Sequence, residues 1–444
     1  MRIAHITDLH LRAQQPGTSA IGKRRSHAMT VLFPRALDAM RTQQPDVLAV
    51  TGDLLDVPGW LIAPIPGFES DKPEFWMDAA IEDYRQVKAW LDATGIPYMV
   101  LPGNHDLPDA MWQVFDPAAH TLETGGICCT RFCDHEHDGH RPRRFHPERD
   151  RWEQLLQRTN GPLQVHLQHY VITPALNAGY PHTYEEGEEI ARRTNACGHV
   201  PLCLSGHYHR GTPVLNHGNT TFATTPAFCE APHPWRIYDL DPDTGSSAVE
   251  DYALGAPARR PVVFLDRDGV INTRPSFRCG PEAMELIPGA AAAIHQLNAA
   301  GYATLVITNQ SAIGMGYVSD AVVRLVNDTM HRLLAEEADA RLDGVYHSSA
   351  AGAAAVLPRY LEDGKGKPSP RLLQQATTEL NLDAARAWMV GDSVGDIATA
   401  TAYGARPILV ETGNGVNVAA TVKEQWPHTP VLPDLRAAVA HILS

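Results

Sequence analysis

Two carboxylates one residue apart, Asp266 and Asp268, follow the apolar run Val262-Val263-Phe264-Leu265 and precede Gly269. In extended backbone, residues two apart point to the same side. Such a pair can act as nucleophile plus proton donor, as a metal cradle, or both. A calcium loop is the plainer alternative, but it needs its glycine at position six and a Glu at twelve, whereas Gly269 is the fourth residue counted from Asp266. The first half of the chain repeats the theme with other donors. Apolar runs end in Asp8-Leu9-His10, in Thr51-Gly52-Asp53, in Gly103-Asn104-His105-Asp106, in Gln168-His169, and in Gly206-His207-Tyr208-His209. Singly, an Asp after a strand is a turn former or helix cap and a His is a satisfied surface residue. Together they offer the oxygen and nitrogen donors that a pair of divalent metals requires, with no thiolate among them.

Each of these residues needs a strand to carry it. The runs Ile3 to Thr7, Val47 to Val50, Tyr98 to Leu101, Leu163 to Leu167 and Leu202 to Leu204 read as buried strands whose C-terminal ends bear the donors, where open α/β sheets place ligands. A helix is expected around Met29 to Met40. In the second half, the strand before Asp266 is followed by a helix over Ala290 to Ala300 and a strand Ala303 to Ile307 that ends in Thr308-Asn309-Gln310-Ser311. A helix over Asp320 to Ala338, a loop carrying Lys367-Pro368, and a strand Ala387 to Val390 that ends in Gly391-Asp392-Ser393-Val394-Gly395-Asp396 come next. That alternation predicts a doubly wound parallel sheet. The hairpin turn Asp239 to Ser247 and the proline- and arginine-bearing stretch Leu254 to Pro261 place a boundary between domains 1–253 and 262–444, with 254–261 as linker.

The chain has 444 residues, 44% of them hydrophobic, so two or three domains with ample cores are expected. A formal charge of -14 speaks against general nucleic-acid binding and leaves a small charged substrate met by local metals. Seven cysteines do not form an obvious disulfide framework, no apolar run is long enough for a membrane span, and the N-terminus lacks a signal-peptide pattern. A cytoplasmic protein is expected. Two stretches are less readable. Val57 to Trp76, rich in proline and aromatics, could wall a substrate site, form a homodimer interface, or simply pack. Cys128 to His146 crowds three Cys and four His around Arg141, Arg143 and Arg144 without paired zinc spacing, and is expected to be a solvated loop whose arginines are available to an anionic substrate rather than a third metal site.

At this level of detail, roughly residues 1 to 250 resemble the calcineurin-like metallophosphoesterases, nearest to the bacterial cyclic-nucleotide phosphodiesterase branch. The resemblance implies a β-sandwich flanked by helices (αββα) holding two divalent metals, Mn, Fe or Zn. It implies Asp8, His10 and His209 on one ion, Asn104, His169 and His207 on the other, and Asp53 bridging. His105 would protonate the leaving group, oriented by Asp106. The chain departs from the family at Gln168-His169-Tyr170-Val171, where His-His-Pro-Pro is common. Residues of about 260 to 415, through FLDRDGVIN and TNQS, resemble the haloacid dehalogenase superfamily, in its branch of small sugar and histidinol phosphate phosphatases. That resemblance implies a Rossmann-like sheet, Asp266 as nucleophile, Asp268 as general acid then base, and Thr308, Asn309 and Lys367 at the phosphoryl group. Magnesium would be held by Asp392, Asp266 and the backbone of Asp268, with Asp396 in support. The Cys/His zinc loop of many members is replaced by His347-Ser348-Ser349-Ala350-Ala351-Gly352-Ala353-Ala354-Ala355, and the interval from Asp266 to Thr308 is too short for a large cap, so a fairly open site is expected.

Diester cleavage yields the monoester that the second site would consume. The expectation is therefore a bifunctional enzyme that opens a small phosphodiester, a cyclic nucleotide or sugar cyclic phosphate among the candidates, and then removes the remaining phosphate. The alternatives are nucleic-acid end healing, disfavoured by the acidic balance and the missing kinase loop, and a chain in which one half only senses or scaffolds.

Overall fold

The computed structural model describes residues 1–68, 72–137, 139–158, 160–176, 180–256, 258–273 and 280–444; Pro257, within the expected linker, lies outside them. By contact the chain divides into two units. The first comprises Met1–Gln15, Ala28–Val57 and Glu74–Ala256; the second comprises Pro16–His27, Pro58–Pro73 and Pro257–Ser444. Two excursions from the first half of the sequence thus belong to the second unit. Most of the Val57 to Trp76 stretch finds its place there: Trp60 Nε1 donates to Asp328 Oδ2 at 3.0 Å, and Ile65 and Phe68 pack against the second unit's core.

The first unit is built on β1 (Arg2–Ile6), β2 (Val47–Thr51), β3 (Tyr98–Leu101), β4 (Thr121–Thr124), β5 (Ile127–Arg131), β6 (His135–His137), β7 (Arg141–Arg143), β8 (Leu163–Leu167), β9 (Leu202–Ser205), β10 (Leu215–His217), β11 (Thr220–Thr224), β12 (Pro234–Leu240) and β13 (Ser247–Ala253). Among the described residues they form two large sheets, ordered β13-β12-β1-β2-β3 and β10-β11-β9-β8-β5-β4, and a β6-β7 hairpin. Because strand side chains alternate, Ile3, Val47, Ala49, Met99 and Leu101 of one sheet face Ile127, Val165, Leu167, Leu202 and Leu204 of the other in one buried cluster. The outer face of the second sheet, through Cys203 and Phe222, is covered by Trp152, Leu155, Ile190 and Ala191 from helices Glu148–Leu156 and Gly187–Cys197. This is the sandwich flanked by helices.

The second unit is a single sheet of β14 (Pro261–Leu265), β15 (Ala303–Asn309), β16 (Gly344–Ser348), β17 (Asp383–Gly391), β18 (Arg406–Val410) and β19 (Val431–Leu432). Their order is β16-β15-β14-β17-β18-β19 and every pairing is parallel. Val263 and Leu265 face helices Ala290–Ala299, Asp320–Ala338 and Leu435–Leu443, while Val262 and Phe264 face helices Arg371–Leu380 and Val394–Tyr403. The strand order reverses on either side of β14, and such a switch point is where doubly wound sheets bind ligands at their carboxyl ends. Asp266 is the residue that emerges there. No described helix is long and apolar enough to cross a membrane.

Candidate active sites

In the first unit, strand ends bring seven donors together. His10 Nε2 lies 3.2 Å from His209 Nε2 and 3.3 Å from Asp53 Oδ2, and His209 Nε2 lies 3.6 Å from Asp8 Oδ1. On the other side, Asp53 Oδ2 is 3.5 Å from His169 Nε2, Asn104 Oδ1 is 3.1 Å from His169 Nε2, and His207 Nδ1 is 2.9 Å from Asn104 Oδ1. One oxygen of Asp53 is therefore common to both groups of donors. Three imidazoles have their Nδ1 occupied, His10 by Asp56 Oδ1 at 3.3 Å, His169 by the Thr51 carbonyl at 2.8 Å and His209 by Glu230 Oε1 at 2.5 Å. Each such bond fixes the tautomer with the Nε2 lone pair turned inward, the arrangement metal-ligating histidines adopt.

The backbone around this cluster is strained. Asp8, His10, Asp53 and His207 have φ values of 54°, 47°, 49° and 66°. Left-handed geometry is costly for residues with a Cβ and persists where surrounding structure over-determines it, most often at functional sites. Gly103 is required by close approach, since a Cβ there would lie 2.2 Å from Asp53 Oδ1. Buried carboxylates facing inward-turned imidazoles, with no Lys or Arg in the cluster, suit two divalent cations. Against burial, which lowers it, Asp53 and Asp8 lift the His169 imidazole to about 9. The Cys229 thiol, absent from the sequence-based donor set, lies with its sulfur within 4.8 Å of donor atoms of His10 and His209.

The His105 side chain is 30% accessible, and its Nδ1 meets Asp56 Oδ1 at 3.1 Å. The expected orienter, Asp106, is engaged elsewhere. It accepts the N–H groups of Leu54, Leu55 and Gly103 at 3.1, 3.0 and 2.8 Å and the Tyr84 hydroxyl at 2.9 Å, so it fastens the loops rather than the imidazole. Asp56 takes the orienting place. Burial pushes its carboxyl up, but His10, His105 and Arg12 hold it well below the usual carboxylate range. Cys128 to His146 is also not a solvated loop. Cys128 and Cys129 lie buried on β5, and Arg144 is fully buried in a fork onto Asp134 at 2.8 and 3.0 Å, its guanidinium 3.9 Å from the Phe132 ring centroid.

In the second unit, the tips of β14, β15 and β17 gather Asp266, Thr308 and Asp392 around Lys367. Lys367 Nζ donates to Asp266 Oδ1 at 2.8 Å and to Asp396 Oδ1 at 2.6 Å. Asp396 Oδ2 accepts the Ser393 N–H at 3.0 Å and hydroxyl at 2.6 Å, closing a capping box on helix Val394–Tyr403. Asp392 Oδ2 accepts the Asn414 N–H at 2.7 Å. Asp266, Asp392 and Asp396 place carboxylate oxygens within 4.8 Å of one another. Three carboxylates against one ammonium leave a net negative pocket that suits a divalent ion. Burial pushes Asp266 up to about 7 despite the pull of Lys367. For Asp268, burial acts upward but Arg267, Asn272 and Gln310 prevail and hold the carboxyl low; Arg267 forks onto it at 3.1 and 3.1 Å.

Asn309, expected at the phosphoryl group, uses its side chain on the neighbouring loop. Its Oδ1 accepts the Lys367 N–H at 2.9 Å and its Nδ2 donates to the Lys367 carbonyl at 3.2 Å. Thr308 Oγ1 accepts from Gln310 Nε2 at 3.0 Å and lines a cavity of about 340 Å³ with Asp266, Asp268 and Lys367. Asp363 was not singled out in the sequence. It accepts the Ser348 hydroxyl at 2.7 Å and the N–H groups of Lys365 and Gly366 at 2.8 and 3.3 Å, ordering the Lys367 loop where a zinc loop is missing.

Comparison with known proteins agrees with these two folds. Residues 1–211 match the calcineurin-like phosphoesterase family and residues 365–438 match the HAD-hydrolase-like family. The chain is 34% identical over 187 residues to a D-glycero-beta-D-manno-heptose-1,7-bisphosphate 7-phosphatase of Pseudomonas aeruginosa, covering 41% of this chain and 98% of that protein. It is 36% identical over 190 residues to a D-glycero-D-manno-heptose-1,7-bisphosphate 7-phosphatase of Thermosynechococcus vestitus, covering 41% and 95%. Among solved structures, it resembles a D,D-heptose 1,7-bisphosphate phosphatase from B. bronchiseptica at 30% identity, 41% and 98% coverage and a TM-score of 0.37. It also resembles a dimetal phosphatase from Danio rerio at 14% identity, 57% and 98% coverage and a TM-score of 0.39. The chain belongs to the haloacid dehalogenase-type phosphatases through its second half, and residues 1–211 of its first half match the calcineurin-like phosphoesterase model. It is a phosphoric ester hydrolase carrying two phosphoesterase domains of families that use divalent metals.

Proposed function

We propose that the chain is a bifunctional phosphoesterase, with a diesterase in residues 1–253 and a monoesterase in 262–444, joined through 254–261. The first site opens a small phosphodiester, and the second removes phosphate from the resulting monoester through an aspartyl phosphate. The observation that supports this reading is that each unit of the chain gathers a cluster of polar donors at the ends of its strands. In one, Asp53 Oδ2 stands 3.3 Å from His10 and 3.5 Å from His169. In the other, Asp266 stands 2.8 Å from Lys367 at a sheet switch point.

In the first site, Asp8, His10 and His209 would hold one cation and Asn104, His169 and His207 the other, with Asp53 shared; manganese, iron or zinc there would supply positive charge to the phosphoryl group. His105, aligned by Asp56, gives a proton to the leaving oxygen as water adds to phosphorus and the ester bond breaks. In the second site, magnesium held by Asp266, Asp392 and the backbone of Asp268, with Asp396 in support, would balance the carboxylates. An Asp266 oxygen bonds to phosphorus as the bond to the alcohol breaks, and the departing oxygen takes its proton from Asp268. Water then gives a proton to Asp268 and displaces Asp266, releasing inorganic phosphate and leaving Asp268 protonated for the next ester. Once it has given up its proton, Asp268 is the carboxylate that Arg267 favours against burial, and that form accepts this proton. Thr308 and Lys367 hold the phosphoryl oxygens, and Asn309 holds Lys367.

The test is a screen of the full chain and its Asp53→Asn and Asp266→Asn variants against phosphodiesters and phosphomonoesters, reading monoester and free phosphate. Asp53→Asn is expected to lose diester cleavage, and Asp266→Asn to lose monoester cleavage while still opening diesters. Loss of both activities together in either folded variant would refute two independent sites.

A further inference from the structure

The cavity above Asp266 has two kinds of lining. One is the phosphoryl machinery just described. The other is the apolar group Met284, Val318, Val322, Val323 and Val326. Val322, Val323 and Val326 share one face of helix Asp320–Ala338, so three branched side chains are presented side by side. Behind this wall, in the same core cluster as Met284, Val322 and Val326, pack Ile65 and Phe68 from the excursion Pro58–Pro73, and a Cβ placed on Gly280 at the cavity's edge would lie 3.1 Å from Phe68.

Three polar side chains of the lining are already bonded within the protein. Arg267 spends its guanidinium on Asp268 and on Asn327 Oδ1 at 3.0 Å. Lys367 is held by Asp266 and Asp396. Gln310 Nε2 is shared between Asp268 and Thr308. Arg267 and Lys367 are the only basic residues among the described lining of the cavity. A sugar hydroxyl pressed against the valines would lose water without gaining a partner from them. A second phosphate would find no uncommitted cation among the described residues.

We propose that the second site selects monophosphate esters whose leaving alcohol carries an apolar, ring-sized body, and that Val323 is a specificity-determining residue of that wall. The proposal rests on the phosphatase reading of Asp266 and adds the substrate class. A cavity of about 340 Å³ has room for a phosphoryl group and one ring system, at the lower end of the size range of small-molecule sites.

The experiment uses the full chain with magnesium and three comparisons read as released phosphate. 2-Phenylethyl phosphate and glycerol 3-phosphate are both esters of primary alcohols, so their chemistry is matched and only the body differs. We expect kcat/KM to favour the phenylethyl ester by about tenfold or more, the scale on which apolar pockets discriminate. Fructose 1,6-bisphosphate should show no advantage over fructose 6-phosphate. Val323→Thr, which keeps shape and adds a hydroxyl, should shrink the phenylethyl-to-glycerol ratio several-fold. If that variant lowers thermal stability, Val323→Ile, one methylene larger and still apolar, should shrink the same ratio by crowding. Equal kcat/KM for the matched esters, a preference for the bisphosphate, or a ratio that both Val323 variants leave unmoved overturns the proposal while the phosphatase reading stands. Absence of any monoester hydrolysis that Asp266→Asn removes overturns both.

Discussion

Asp56 offers a sharp test of the first site, because it touches no donor atom that faces the shared Asp53 oxygen yet meets two imidazoles at once. Its side chain is nearly inaccessible, its Oδ1 lies 3.3 Å from His10 Nδ1 and 3.1 Å from His105 Nδ1, and its Oδ2 lies 3.4 Å from Arg12. Asp56→Asn keeps the shape and removes the charge. A hydrogen bond to a charged group is worth about 1.5–3 kcal/mol against roughly 1 for a neutral one. The loss at His10 is therefore on the order of 1–2 kcal/mol, or about tenfold in affinity for the cation held by Asp8, His10 and His209. Misalignment of His105 adds to it, and removing partners that orient metal-bound histidines commonly costs about 10–100-fold. Folding should suffer less, since Arg12 Nε keeps its 2.7 Å bond to the Asp56 carbonyl. The assay is manganese titration of the metal-stripped full chain, read both by cation binding and by hydrolysis of bis(p-nitrophenyl) phosphate, beside a thermal melt. An unchanged cation dissociation constant together with an unchanged rate would refute the assignment of Asp56 as the residue that positions both imidazoles. Asp106→Asn is the contrast: it should lower the melting temperature, with its effect on rate following from loosened loops.

Four further outcomes can be checked. With a diester that the enzyme opens, Asp266→Asn should accumulate one phosphomonoester, visible by phosphorus NMR, and added wild-type chain should clear it. Asp134→Asn should destabilise the first unit by about 3–5 kcal/mol, measured in urea, because it leaves the Arg144 guanidinium, whose side chain has no exposed surface, without its counter-charge. Asp363→Ala should lower the second site's kcat about tenfold by freeing the Lys367 loop, and Asp363→Asn should recover part of it, as monoester kinetics will show. Phe68→Ala should cost the second unit about 2 kcal/mol and abolish monoesterase activity on heating before diesterase activity, although Phe68 precedes most of the first unit in sequence.

The strands and their endings were legible because burial on both faces writes itself as an unbroken apolar run, and a donor directly after the run needs no distant information. Thus β1, β2, β3, β8, β9 and β14 lie within a residue or two of the runs that announce them. What depended on contacts far apart in sequence was hidden. Glu230 reaches His209 across 21 residues, and Asp56, three residues past Asp53, reads locally as one more turn former. The left-handed backbone of Asp8, His10, Asp53 and His207 leaves no mark in residues that usually avoid it. Arg144 was misjudged for a related reason: a run of arginines looks solvated until one finds that Asp134 is buried beside it. The placement of Pro16–His27 and Pro58–Pro73 in the second unit was equally invisible, since the composition of a loop does not say what it packs on.

Those two excursions bear on how the protein is made. A ribosome delivers Pro58–Pro73 well before Pro257 and everything after it, which the excursions belong with. At about 5–20 residues per second, the intervening stretch takes on the order of ten to forty seconds to emerge. For that interval Trp60, Ile65 and Phe68 lack the surface of the second unit that they finally cover. The nascent chain must therefore keep the apolar loop Pro58–Pro73 from aggregating until the rest of the second unit arrives, and the polar and proline residues spaced through it, Pro58, Pro64, Pro66 and Lys72, are the kind that suppress premature strand pairing.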